Sequence, residues 1–221
     1  MTGFDLVIFD CDGVLVDSEL LSVEADRGCL ADHGIDLSAE EILERYTGLS
    51  LAAMLSDLES RYGRPLPDFA TRHRERLRSL FEADLRPIPG IGAVLDALTC
   101  RVCVASSGTS ERLQHALSLV GLLDRFQPHV FSVSEVAHGK PAPDLFLHAA
   151  GRMGVAPQRC LVVEDSIAGV AAAVAAGMPA IGFTGGSHCR PGHGARLAAA
   201  GAALVIGRMA ELLPALARRS L

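Results

Sequence analysis

Short apolar runs recur along the chain, each followed by polar residues and then by a stretch with helical spacing. The runs are Leu6-Val7-Ile8-Phe9, Val102-Cys103-Val104-Ala105, His129-Val130-Phe131, Leu161-Val162-Val163, Ala180-Ile181-Gly182-Phe183 and Ala203-Leu204-Val205-Ile206. Continuous runs of this kind suit strands buried on both faces, as in a parallel sheet. The Ala/Leu-rich stretches between them include Ile91 to Leu98, Ser110 to Val120, Pro143 to Met153 and Ile167 to Ala176. Strand and helix in alternation predict an α/β fold with a doubly wound, Rossmann-like parallel sheet.

One region breaks the alternation. From about Ser18 to about Leu85 the pattern is helical and contains no convincing strand. Glu19 to Asp32, Ala39 to Tyr46, Leu51 to Tyr62 and Phe69 to Phe81 each read as a helix, punctuated by Gly34, Gly48 and Gly63-Arg64-Pro65. Four helices are too many for one crossover. The expectation is therefore a small all-helical cap domain, residues 17–85, inserted after the first strand of a core formed by residues 1–16 and 86–221. Such a cap would cover whatever lies at the end of that strand.

Composition narrows the partners. The formal net charge is −6 over 221 residues, aromatics are 5% and tryptophan is absent. That argues against a nucleic-acid binder, which needs a basic surface and stacking platforms. A small anionic substrate remains compatible, because a few local cations and a metal can reverse the field of one pocket. No apolar run has the length of a membrane span, and Met1-Thr2-Gly3-Phe4-Asp5 lacks the features of a signal peptide, so no membrane partner and a cytoplasmic location are expected. The six scattered cysteines read as reduced thiols. Cys100 and Cys103 form a C-x-x-C that runs into an apolar segment and reads as strand packing. His188, Cys189 and His193 could hold a metal, but they sit in a Gly/Pro loop with no fourth ligand in view. A monomer is expected.

In a parallel sheet, ligands bind beyond the carboxyl ends of the strands, so the residues after each run carry the argument. Asp10-Cys11-Asp12-Gly13 follows the first run. It could be a strand cap or a turn. An EF-hand loop fails, because Leu15 and Leu21 stand where a glycine and a bidentate glutamate are required. On an extended chain, Asp10 and Asp12 point to one side with Cys11 opposite, which suits Asp10 as a nucleophile and Asp12 as a proton donor and acceptor. Ser106-Ser107-Gly108-Thr109-Ser110 follows the second run and offers hydroxyls and N–H groups to an anion, to a helix N-terminus, or to both. Gly139-Lys140-Pro141-Ala142-Pro143-Asp144 is stiffened by its prolines, which makes Lys140 a positioned cation. Glu164-Asp165-Ser166 follows the fourth run; two adjacent carboxylates at a buried sheet end are costly unless a cation pairs with them. Asp165 or Ser166 could also cap the next helix. Hard oxygen donors with few nitrogen or sulfur partners favour Mg²⁺, and metal, lysine, hydroxyls and N–H groups together are equipment for phosphoryl transfer.

The ordered set resembles the haloacid-dehalogenase-like hydrolase superfamily. Its motifs are the run from Asp10 to Glu19, then Ser106, then Lys140-Pro141-Ala142-Pro143-Asp144, then Glu164-Asp165-Ser166. The similarity spans essentially the whole chain, helical cap included, and is to the branch containing beta-phosphoglucomutases, phosphoglycolate phosphatases and sugar-phosphate phosphatases. The resemblance implies that Asp10 binds Mg²⁺ through one oxygen and attacks phosphorus with the other, giving an aspartyl-phosphate. It implies that Asp12 protonates the leaving oxygen, later takes a proton from water, and ligates the metal through its carbonyl. It gives Asp165 as a direct metal ligand and Glu164 as one acting through a metal-bound water. It gives Ser106, Ser107 and Lys140 as the phosphate-binding residues, with Lys140 also keeping Asp10 ionised. Asp17 and Ser18 would lie near the hinge of cap closure. Dehalogenases lack the second aspartate, so Asp12 argues for phosphorus over carbon. Beta-phosphoglucomutases carry a histidine at the position of Ser22 and an arginine in the cap loop read here as Gly48-Leu49-Ser50-Leu51. The expected function is a Mg²⁺-dependent phosphatase acting on a small phosphorylated metabolite, a sugar or sugar-acid phosphate. The alternatives are a phosphosugar mutase and a non-catalytic binding protein on the same fold. Arg45, Tyr46, Leu51 and the segment Arg72-His73-Arg74-Glu75-Arg76 are candidates for substrate contact in the cap, against a plain solvated helix face.

Overall fold

The structure is a computed structural model and describes residues 3–46 and 49–217. Met1, Thr2 and Gly48, each used in the sequence reading, lie outside the described residues. The six apolar runs become six parallel strands: β1 (Leu6–Phe9), β2 (Arg101–Ser106), β3 (Val130–Ser132), β4 (Cys160–Glu164), β5 (Ala180–Phe183) and β6 (Leu204–Ile206). They lie in the order β3-β2-β1-β4-β5-β6. The strand order therefore reverses between β1 and β4, where crossovers leave in opposite directions and open a crevice at the carboxyl edge. The register sets Phe9 beside Val163, so Asp10 follows one strand and Glu164 ends the other at the same level.

Alternation explains why both faces of the sheet are covered. Val7, Phe9, Leu161 and Val163 join one buried apolar cluster, and Leu6, Ile8, Cys160 and Val162 join the other. The helices α1 (Glu19–Asp32), α2 (Ala39–Tyr46), α3 (Leu51–Tyr62) and α4 (Phe69–Asp84) lie between β1 and β2. They enclose an apolar centre of their own, with Leu30, Ile42, Met54, Leu58 and Phe69. The second half of α4 turns back to the sheet, and Leu77 and Phe81 join the cluster that contains Phe9. The two segments joining helices to sheet run side by side: Asp17 N–H donates to the Arg86 carbonyl at 2.9 Å and Ile88 N–H to the Leu15 carbonyl at 2.9 Å. The remaining helices are α5 (Ile91–Ala97), α6 (Ser110–Leu119), α7 (Leu123–Phe126), α8 (Asp144–Met153), α9 (Ile167–Ala175), α10 (His193–Ala199) and α11 (Leu212–Ala217). Among the described residues, no helix is long and apolar enough to cross a membrane.

Candidate active site

Asp10, Asp12, Ser106, Lys140, Glu164 and Asp165 all meet at the carboxyl edge of the sheet. Lys140 is the chain's one lysine and its side chain is only 1% exposed. Its ammonium donates to Asp10 Oδ1 at 2.6 Å, to Glu164 Oε1 at 2.7 Å and to the Ala105 carbonyl at 3.1 Å. All three of its protons are thereby directed, and the nucleophile candidate is tied to three strand ends at once. Burial alone would lower the ammonium's pKa, but Asp10 and Glu164 overcome this and raise it. Lys140 is therefore held as a cation.

Glu164 is fully buried. Its Oε2 accepts from Ser166 N–H at 2.7 Å and from Ser166 Oγ at 2.8 Å, while Ser166 Oγ accepts from Gly169 N–H at 2.9 Å and caps α9. The capping role and the site role of Ser166 coexist. Glu164 spends both oxygens inside the protein, on Lys140 and Ser166. A Cβ on Gly169 would lie 1.8 Å from Glu164 Oε1, so the glycine is what lets α9 start against this carboxylate.

Asp12 sits at the mouth of the crevice. Its Oδ1 accepts from Ser18 Oγ at 2.7 Å, and its Oδ2 from Ser106 Oγ at 3.3 Å and from Arg112 Nη2 in a close ion pair. Cys11, between the two aspartates, is buried in the core as strand alternation requires. Gly13 adopts φ +72°, and a Cβ there would meet Asp165 Oδ2 at 2.0 Å; the turn passes the Asp165 carboxylate too closely for any side chain. Thr109 accepts from Arg112 N–H and caps α6, and Ser106 Oγ accepts from Gly108 N–H at 3.2 Å.

The charge balance fits a divalent cation. Four carboxylates (Asp10, Asp12, Glu164 and Asp165) face two cations, Lys140 and Arg112. Burial pushes Asp10 well up from the usual carboxylate range; Lys140 pulls it down, but Glu164, Asp165 and Asp12 push it up further. Burial and Glu164 likewise push Asp165 up. Lys140 favours the ionised Asp10, as the sequence expectation had it, yet burial first, and the neighbouring carboxylates after it, outweigh this pull. Asp165 Oδ2 is also buried without a well-formed hydrogen bond. Asp10, Glu164 and Asp165 bring one oxygen each within 4.8 Å of one another. An all-oxygen donor set with surplus negative charge fits a hard cation such as Mg²⁺.

From this edge a cleft of about 610 Å³ runs up between sheet and helices. Asp10, Asp12, Ser106, Ser107 and Arg112 line its floor, and Glu19, Ser22, Tyr46, Leu51, His73, Arg74 and Arg78 line its wall. Leu51 therefore reaches the cleft. Arg45 does not: Ile42 and Tyr46 are the buried residues of α2, and Arg45 is exposed. Of the basic segment on α4, His73 and Arg74 line the cleft, whereas Arg72 and Arg76 pair with Asp32 at 3.3 and 3.5 Å. Burial pushes Glu19 up to about 8, reinforced by Asp165 and Asp12. Sequence reasoning missed Arg112 and Glu19 as site residues. The available signal was their position, in the first turn of helices that start at a site loop.

Comparison with known proteins agrees with this geometry. A curated relative, the 6-phosphogluconate phosphatase of Escherichia coli, is 34% identical over 193 residues, covering 86% of this chain and 87% of that one. The fructose-1-phosphate phosphatase of the same organism is 33% identical over 178 residues, covering 79% and 94%. Among solved structures, a conserved haloacid dehalogenase-like protein from Agrobacterium tumefaciens is 42% identical with a TM-score of 0.84, covering 97% of this chain and 98% of that one. A HAD family hydrolase from Deinococcus radiodurans, solved with bound phosphate and sodium, is 35% identical with a TM-score of 0.77, covering 98% and 96%. The family model described as haloacid dehalogenase-like hydrolase matches residues 4–177, and the chain belongs to that family.

Proposed function

We propose that the protein is a Mg²⁺-dependent phosphatase that hydrolyses a small phosphorylated sugar or sugar acid through an aspartyl-phosphate on Asp10. The observation that carries this reading is the buried Lys140, which holds Asp10 and Glu164 together beside Asp12 and Asp165 at the strand-order reversal. Asp10, Asp165 and the Asp12 carbonyl would hold the cation, with Glu164 one step behind. When bound, the cation supplies charge for the phosphoryl oxygens and offsets the surplus negative charge of the site.

Asp10 Oδ1 is held by Lys140, which orients the carboxylate and lowers the cost of keeping it ionised in a buried position. An Asp10 oxygen attacks phosphorus and the bond to the ester oxygen breaks. Asp12 gives its proton to that leaving oxygen. In the second half, Asp12 takes a proton from water as the water oxygen attacks phosphorus, and the bond to Asp10 breaks to release phosphate. Ser18 and Ser106 fix the Asp12 carboxylate by donating to its two oxygens. Ser106 and Ser107 would bind the phosphate oxygens, and Lys140 would offset their charge from behind Asp10. Residues 17–85 would act as a cap whose closure excludes water.

Two positions on the wall support hydrolysis over mutation. Ser22 and Leu51 line the cleft, in the places where beta-phosphoglucomutases carry a histidine and a cap-loop arginine, and neither can bind a second phosphate as a cation would. The relatives named as phosphatases of 6-phosphogluconate and fructose 1-phosphate support sugar and sugar-acid phosphates as the class to test. The test is a panel of such esters assayed for released phosphate with and without Mg²⁺. Release is expected with Mg²⁺ only, and Asp10→Asn should lower it by about a thousandfold or more. Isomerisation of a bisphosphate-primed sugar without net release would overturn the phosphatase reading.

A further inference from the structure

Outside the residues already assigned, a group of polar contacts lies in the loop between β5 and α10. This loop reaches the site from the far side of β4. Ser187 N–H and Oγ both donate to Asp17 Oδ1, at 3.0 and 2.8 Å, so the loop is fastened to the segment that enters the helical insert. The next residue, His188, is buried. Its Nε2 lies 2.9 Å from Asp165 Oδ2, an ion-pair distance, though not aligned as a linear hydrogen bond. Five residues on, His193 Nε2 donates to the Asp165 carbonyl at 2.6 Å. The loop and the first residue of α10 thus grip Asp165 at its carboxylate and at its main chain.

The packing around His188 leaves little choice of position. A Cβ on Gly13 would lie 2.9 Å from His188 Cε1, and a Cβ on Gly186 would lie 2.8 Å from both Cε1 and Nδ1. The ring is slotted between two glycines. Its Nδ1 is buried without a partner, so its polar contacts are on the Nε2 side, to Asp165 Oδ2 and, at 3.4 Å, to Cys189 Sγ.

His188, Cys189 and His193 bring their donor atoms within 4.8 Å of one another, which raises a soft-metal site as the rival. The hydrogen bonds argue against it. A carbonyl accepts only, so His193 carries its proton on Nε2, and its Nδ1 accepts from Arg196 Nη2 at 3.2 Å. Both ring nitrogens are spent. A metal here would have to break the grip on Asp165.

We infer that His188 and His193 are positioning residues that hold Asp165 in place as a ligand for the divalent cation. The inference rests on the metal-dependent reading above. Outer partners of a ligating carboxylate are worth about 10–100-fold in metal affinity or activity, and a carboxylate with one oxygen restrained has less freedom to lose when the other binds a cation.

The test measures Mg²⁺ binding by calorimetry on the full chain without substrate, together with the Mg²⁺ concentration for half-maximal phosphatase activity. His188→Leu should weaken Mg²⁺ binding by about tenfold or more and raise the half-maximal concentration to match. Substrate KM at saturating Mg²⁺ should stay within about twofold of wild type, a split that a general loss of packing would not produce. His188→Gln, whose amide can donate from near the Nε2 position, should recover most of the binding. If His188→Leu does not fold, Gly186→Ala is the second variant: its Cβ would displace the ring, and it should weaken Mg²⁺ binding in the same direction. Wild-type Mg²⁺ affinity in either folded variant overturns the inference alone and leaves the phosphatase reading standing. Absence of both Mg²⁺ binding and Mg²⁺-dependent activity in the wild type overturns both. Stoichiometric Zn²⁺ binding lost in Cys189→Ala, with Mg²⁺ binding unchanged in His188→Leu, also overturns it in favour of a soft-metal site.

Discussion

The floor and the wall of the cleft are built on opposite principles. Beneath the floor, Lys140 is 1% exposed and donates to three acceptors at the ends of separate strands. On the wall, Arg78 is 63% exposed and its ion pair is with Glu82 on the same helix. The floor residues are fixed by partners far away in sequence and cannot move singly. The wall residues hang from helices whose own apolar centre is largely separate. Chemistry that needs one geometry sits where position is over-determined, and recognition sits where side chains can change at little cost to the fold.

The largest break of this contrast should come from Lys140→Met. Removing the cation leaves Asp10 and Glu164 buried without it, which costs about 3–5 kcal/mol; a urea titration reads the loss, and phosphate release should vanish with it. The same shielding can be seen without mutation. With only one lysine in the chain, an amine-reactive reagent should leave Lys140 unmodified in the native protein and label it in urea, as peptide mapping would show.

A second test concerns charge. Glu19 binds its proton more tightly folded than unfolded, with a pKa raised from the ordinary 4.5 to about 8 by burial first. Stability from this group is therefore complete below about pH 4.5 and lost as pH rises to about 8. Denaturation of the metal-free protein across that window should show a decline that Glu19→Gln flattens. No flattening would mean that solvent reaches this half-buried carboxyl.

On the wall, effects should be smaller and confined to binding. Leu51→Ala or Arg74→Ala should change KM for sugar phosphates by less than about tenfold while kcat on a small phosphate ester stays within about twofold. Arg45→Ala is the smallest: an exposed residue off the cleft should leave kinetics unchanged and stability within about 0.5 kcal/mol. A large effect there would dissolve the contrast.

Much of the floor was legible in the sequence because its parts are local. Each apolar run ends where its chemistry starts, so Asp10, Ser106 and Glu164 announce themselves at strand ends. Lys140 is readable through its prolines. The contacts at and around the floor were not legible, because they join Asp12 to Arg112 and Asp17 to Ser187 across separate elements. His188 and His193 were seen as donors, but only the fold shows that they face Asp165. In the insert, the four helices were legible from periodicity, but a basic run on a helix surface reads the same whether it meets substrate or solvent. Arg45, three residues after Ile42, falls on the flank of that face, so spacing alone does not exclude it; its exposure in the fold does.

The central claim is that Asp10 takes the phosphoryl group. The most direct measurement mixes the enzyme with a radiolabelled phosphate ester and Mg²⁺, quenches with acid within the first turnover, and maps the label by peptide. The account predicts label on the peptide containing Asp10, removable by hydroxylamine as an acyl phosphate is, and absent from Asp10→Asn. Phosphate released with no label ever held by the protein, or label retained in Asp10→Asn, would contradict it.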